Sequence, residues 1–132
     1  MRLLLDTCTF LWLIAEPASL SPPAREAIAE PRNACYLSAV SLWEILVKHA
    51  LGRLEIAAEG GDGVAGFLLA QREAHRIDPL PLEEAAVARL GSLPDHHRDP
   101  FDRMLACQAL AHGLRIVTPD PVLARYPVPT LW

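Results

Sequence analysis

Short apolar runs alternate along this chain with longer stretches in which apolar positions recur every three or four residues. Residues 2–5, Arg-Leu-Leu-Leu, read as a buried strand whose carboxyl end carries Asp6. Residues 9–15 read as a helix stopped at Glu16-Pro17. Ser21 as N-cap and Pro22 at the first helical position open a second helix, expected to reach about residue 30. Residues 35–38 form a second strand, and residues 40–51 a helix ending at Gly52. A Gly-rich loop at residues 60–63 leads into a helix over 64–75. Residues 76–80 read as a weak third strand, 81–90 as helical and 94–98 as a loop. Asp99-Pro100 opens a strong helix that runs to His112 and stops at Gly113. A fourth strand over 114–118, a short helix over 121–125 and a short edge strand over 128–132 complete the chain.

Strands alternating with helices predict an α/β fold of three layers: helices on both faces of a mostly parallel sheet of four to five short strands. At 132 residues one domain over 1–132 is expected. No apolar run spans a bilayer and no signal-peptide pattern is read at the start, so a cytoplasmic protein without a membrane anchor is expected. Cys8, Cys35 and Cys107 are odd in number and lack a C-x-x-C pair, which suits reduced core thiols rather than disulfides or a zinc site. The net charge of −4 argues against a simple electrostatic nucleic-acid binder. It leaves room for an enzyme whose acids surround a cation.

In open parallel sheets ligands bind beyond the carboxyl ends of the strands, where Asp6 and Asp120 fall. Each acid also fits an ordinary structural job. Asp6 suits an N-cap for the first helix, Asp99 one for the Pro100 helix, and Asp120 one for the short helix after it. Asp102 suits the dipole of its own helix. Glu44 lies with Ser41 and Lys48 on a narrow polar stripe of an otherwise apolar helix, either a solvent edge with a Glu44–Lys48 pair or a cleft lining. Taken together, carboxylates converging without a cation would repel, and bound Mg²⁺ or Mn²⁺ would offset that. A hydroxyl at Thr118 is placed to orient a carboxylate or a metal-bound water. The five histidines form no rival site, and a loop or core role is expected for each. The Gly-rich loop lacks a phosphate-binding context. An aspartyl phosphohydrolase would need a second Asp where Cys8 stands, and a phosphorylatable receiver module would need a Lys late in the chain, where there is none.

Leu4-Leu5-Asp6-Thr7, the stretch from Ser38 to Ile45, His97-Arg98-Asp99-Pro100-Phe101-Asp102-Arg103-Met104-Leu105 and Val117-Thr118-Pro119-Asp120 resemble, in this order and spacing, the PIN-domain toxins of the VapC type. The resemblance spans essentially the whole chain. It implies a PIN-like fold and a Mg²⁺- or Mn²⁺-dependent endoribonuclease that leaves 5′-phosphate and 3′-hydroxyl ends. It also implies a homodimer neutralised by a cognate VapB-type antitoxin. Carried over by position, Asp6, Glu44 and Asp102 match the three principal acids and Asp120 a more variable fourth, with Asp99 a ligand or only a cap. Thr7 and Ser41 match their polar neighbours, and Thr118 joins them as a supporting hydroxyl. Lys48, Arg53, Arg98 and Arg103 are candidates for guiding RNA. Cys8 departs from the Asn or His usual two residues after the first Asp. A PIN-like module that binds RNA or protein without cleaving is the alternative.

Overall fold

The computed structural model describes residues 1–58 and 63–132. Its centre is β1 (Arg2–Leu5), in which Leu3, Leu4 and Leu5 are all fully buried. A strand so apolar on both faces needs helices above and below it. β2 (Ala34–Ser38) and β3 (Asp78–Leu80) extend the sheet on one side of β1, and β4 (Arg115–Val117) and β5 (Thr130–Leu131) on the other. The order is β3-β2-β1-β4-β5, and every pairing is parallel. The chain therefore works outward from β1 to β3, then returns to the far side of β1. That reversal opens a crevice between the carboxyl ends of β1 and β4.

The helices are α1 (Thr7–Ala15), α2 (Pro22–Ala29), α3 (Ala39–Ala50), α4 (Gly63–Ala74), α5 (Glu84–Ala88) and α6 (Pro100–His112). Side chains alternate across the sheet. Leu3, Leu5, Leu37 and Val117 pack with Phe10, Ala24, Ile45 and Leu68 on one face. Leu4 and Ile116 pack with Leu105, Ala106 and Ala109 of α6 on the other. Among the described residues, no helix is long and apolar enough to cross a membrane.

Several boundaries differ from the sequence reading for local reasons. α1 starts at Thr7 rather than residue 9, because the Asp6 carboxylate accepts from the Thr7 amide and nucleates the helix directly after β1. A 3₁₀ turn at Pro17–Ser19 follows α1. The helix expected over 81–90 is α only at Glu84–Ala88 and tightens into a 3₁₀ turn at Arg89–Ser92; its N-cap residue, Glu83, makes no capping bond. The helix expected over 121–125 is a 3₁₀ turn at Leu123–Arg125. The last strand shrinks to two residues beside Pro127 and Pro129, which have no amide proton to donate. Gly60 to Asp62 of the Gly-rich loop lie outside the described residues.

Candidate active site

Four short connections bring the predicted acids to the crevice. Asp6 is the single residue between β1 and α1. Glu44 projects from the second turn of α3, which follows β2 without a break and is capped by the Ser38 hydroxyl at its end. Asp99 caps α6, with Pro100 behind it, and Asp102 stands on that helix's first turn. Thr118 and Asp120 follow β4. Asp6, Glu44, Asp99, Asp102 and Asp120 all line one open cleft of about 360 Å³, together with Thr7, Cys8, Lys48 and Arg53.

Each carboxylate is held. Asp6, only 5% exposed, accepts from the Thr7 amide at 2.8 Å through Oδ1 and from the Thr118 hydroxyl at 2.7 Å through Oδ2. One oxygen caps a helix while the other is oriented by a hydroxyl, so the capping and site roles coexist. Glu44 is 3% exposed, which settles the stripe on α3 as a cleft lining. Its Oε1 lies 2.7 Å from Thr7 Oγ1, which is also 2.9 Å from the Ser41 hydroxyl, and its Oε2 pairs with Lys48 Nζ. Asp99 Oδ1 accepts from the Phe101 amide at 2.9 Å. Asp120 Oδ1 accepts from the Val122 amide at 2.8 Å.

Two participants add to the sequence reading. His97 lies in the loop before α6, yet its ring belongs to the site: its Nε2 lies 2.8 Å from Asp120 Oδ2 and 3.1 Å from Asp102 Oδ2. Only its position two residues before Asp99 hinted at this, since no spacing rule links it to Asp120. Cys8 is the second; it is half-buried on the cleft wall, with Sγ 3.5 Å from Asp6 Oδ2, while Cys35 and Cys107 are buried thiols as expected. Of the proposed RNA-guiding residues, Lys48 and Arg53 line the cleft. Arg103 does not. It turns to Pro94 O at 3.1 Å, Asp95 and the Tyr126 hydroxyl, so it fastens the preceding loop instead. Arg98 is exposed and outside the cleft lining.

Burial and crowding together shape the electrostatics. Burial, then repulsion by Asp6, Asp99, Glu44 and Asp120, pushes the Asp102 carboxyl up to about 8. Burial also raises Asp6, opposed by the bonds from Thr118, Thr7 and Cys8. Burial and the Asp6 charge push the Cys8 thiol to about 12, so it stays protonated and donates to Asp6. Lys48 is raised by its bond to Glu44 and stays charged. The donor set consists of carboxylate oxygens, with no thiolate available. It fits a hard divalent cation such as Mg²⁺ or Mn²⁺, which would relieve the repulsion that keeps Asp102 protonated.

A three-layer fold whose parallel sheet gathers carboxylates at its point of reversal is the arrangement of the PIN domain, and the PIN-domain family matches residues 3–129. The chain belongs to that family. Ribonuclease VapC22 of Mycobacterium tuberculosis (strain ATCC 25618 / H37Rv) is 32% identical over 133 aligned positions, covering 98% of this chain and 97% of that protein, and places it in the VapC-type branch. Two solved structures share the fold. VapBC2 from Rickettsia felis, bound to a DNA fragment from its promoter, superposes with a TM-score of 0.69 at 13% identity, over 99% of this chain and 98% of that one. VapBC-5 from Mycobacterium tuberculosis, a member of the VapBC family of toxin-antitoxin systems, does so with a TM-score of 0.53 at 22% identity, over 98% and 95%.

Proposed function

We propose that this protein is a Mg²⁺- or Mn²⁺-dependent endoribonuclease and the toxin of a type II toxin–antitoxin pair. The observation that carries the reading is the convergence of five carboxylates on one cleft, where burial and then mutual repulsion push the Asp102 carboxyl up to about 8. In the reading, Asp6, Glu44 and Asp102 hold the ion, with Asp120 and Asp99 completing the acidic wall. When bound, the ion supplies Lewis-acid polarisation of the scissile phosphodiester and neutralises charge that develops on it. Thr118 and Thr7, with Ser41 behind it, keep the Asp6 and Glu44 oxygens aimed at the cleft. Lys48 and Arg53 at the rim attract the phosphate backbone. Single-stranded or looped RNA is the substrate expected, because its backbone reaches an open cleft without melting a helix.

An antitoxin of the VapB type is the expected protein partner; the VapBC complexes that share this fold support it. A homodimer is supported by a patch that no other described part of the chain covers. Trp43 is 59% exposed against Phe101, with Leu82 and Leu90 also exposed, around a mostly apolar depression of about 260 Å³. A cytoplasmic location, where RNA and antitoxin meet the enzyme, belongs to the same reading.

The test is purified protein with RNA and Mn²⁺, beside Asp6→Asn, Asp102→Asn and an EDTA control. Cleavage to 5′-phosphate ends by the parent alone is expected. Equal cleavage by all three proteins refutes the assignment. A Mn²⁺-independent melting temperature without cleavage would instead identify a silent binding module.

A further inference from the structure

His97 stands behind the cleft rather than in it. Asp120 and Asp102 line the cavity and His97 does not, although its Nε2 is within 3.1 Å of both. By proximity alone, His97, Asp102 and Asp120 form a possible three-ligand metal group, with donor atoms within 4.8 Å of one another. The hydrogen bonds around the ring decide otherwise. The Asp99 amide donates to His97 Nδ1 at 3.1 Å, so Nδ1 is an acceptor and the ring proton resides on Nε2. An ion on Nε2 would require that proton to move to Nδ1, where it would face another N–H. The backbone is tied too: the His97 amide donates to the Tyr126 hydroxyl at 2.8 Å, and Tyr126 is itself buried.

We propose that His97 is a positioning residue, locked as the Nε2–H tautomer, that donates to Asp120 and thereby fixes this carboxylate beside Asp102 without ligating the ion. The inference rests on the nuclease reading above. Asp120 comes from the loop after β4 and Asp102 from α6, so no shared element sets their separation. The His97 ring joins them, its Nε2 bonded to Asp120 Oδ2 and 3.1 Å from Asp102 Oδ2. Asp120 is then restrained through both oxygens, Oδ1 by the Val122 amide and Oδ2 by His97, with a lone pair of each left for the cleft.

Two measurements test this. Two-bond ¹H–¹⁵N correlation spectra of the metal-free protein, repeated with saturating Mg²⁺, report the ring directly. The Nε2–H tautomer is expected in both; an Nδ1–H ring, or a ligated nitrogen on adding Mg²⁺, overturns the proposal. Calorimetric titration of Mn²⁺ into the parent, His97→Ala and His97→Gln follows. Alanine is expected to weaken Mn²⁺ binding by about 10-fold or more. Glutamine, whose amide can donate to the same oxygen, is expected to restore most of it. Equal loss in both variants marks a ligand, and unchanged affinity in folded His97→Ala marks a residue of no consequence for the site; either result overturns the proposal. A parent that binds no Mn²⁺ removes the nuclease reading and this proposal with it, whereas a Mn²⁺-binding, RNA-cleaving parent with an indifferent His97→Ala removes only the latter.

Discussion

Asp102→Asn is expected to stabilise the metal-free protein while destroying its site. In the unfolded chain the Asp102 carboxyl titrates near 3.8, and in the native protein at about 8. Between those values the native state keeps a proton that the unfolded state has released. Stability is therefore fully present only below about pH 4, falls as pH rises through the window and levels off above pH 8. Each tenfold difference in proton affinity between the two states corresponds to about 1.4 kcal/mol, so the roughly four tenfold steps set a ceiling of about 6 kcal/mol; with the carboxyl only partly withdrawn from solvent we expect a loss on the order of 3 kcal/mol. The Asn side chain has nearly the same shape and carries no charge. Its stability should decline far less over the same range. Melting in EDTA at pH 5 and pH 9 measures this. The parent should lose roughly 10 °C more than the variant between the two values. Saturating Mn²⁺ should restore the parent at pH 9 and leave the variant unmoved. If parent and variant lose the same stability between pH 5 and pH 9, Asp102 is not under electrostatic strain, and the crowded carboxylates give no reason to require a cation.

Thr118→Val removes the 2.7 Å bond to Asp6 Oδ2 with little change of volume, and should cost about 1–3 kcal/mol in urea unfolding and weaken Mn²⁺ binding several-fold by calorimetry. Trp43→Glu puts a charge on the exposed apolar patch; sedimentation should find a monomer where the parent is a dimer, with the isolated fold intact by circular dichroism. Phe10→Ala empties a fully buried position on the core-facing side of α1 and should destabilise the fold by about 3–5 kcal/mol in chemical denaturation.

The local signals in the sequence were sufficient for what depends on neighbours along the chain. Three leucines ending in Asp6 specify a buried strand with an acid at its tip, because burial on both faces admits no polar residue until the strand ends. Asp99-Pro100 and Gly113 bracket α6 through backbone geometry alone: an N-cap, a fixed φ, and a left-handed residue at φ 65°. The four marked segments, in their order, carried the resemblance to the PIN-domain family. Tertiary structure decided what depends on distance in space. Glu44 and Lys48 on a polar stripe suited a solvent edge as well as a cleft, and only the packing of α3 against α1 buries the carboxylate. Arg103 and Arg98 carry the same charge as Arg53 in sequence, yet one turns to Tyr126 and the other stands outside the cleft lining, because the direction of a side chain is set by the loop it packs against. His97, just before α6, meets Asp120, just after β4, because α6 packs against β4, and no periodicity along a chain encodes a contact between packed elements.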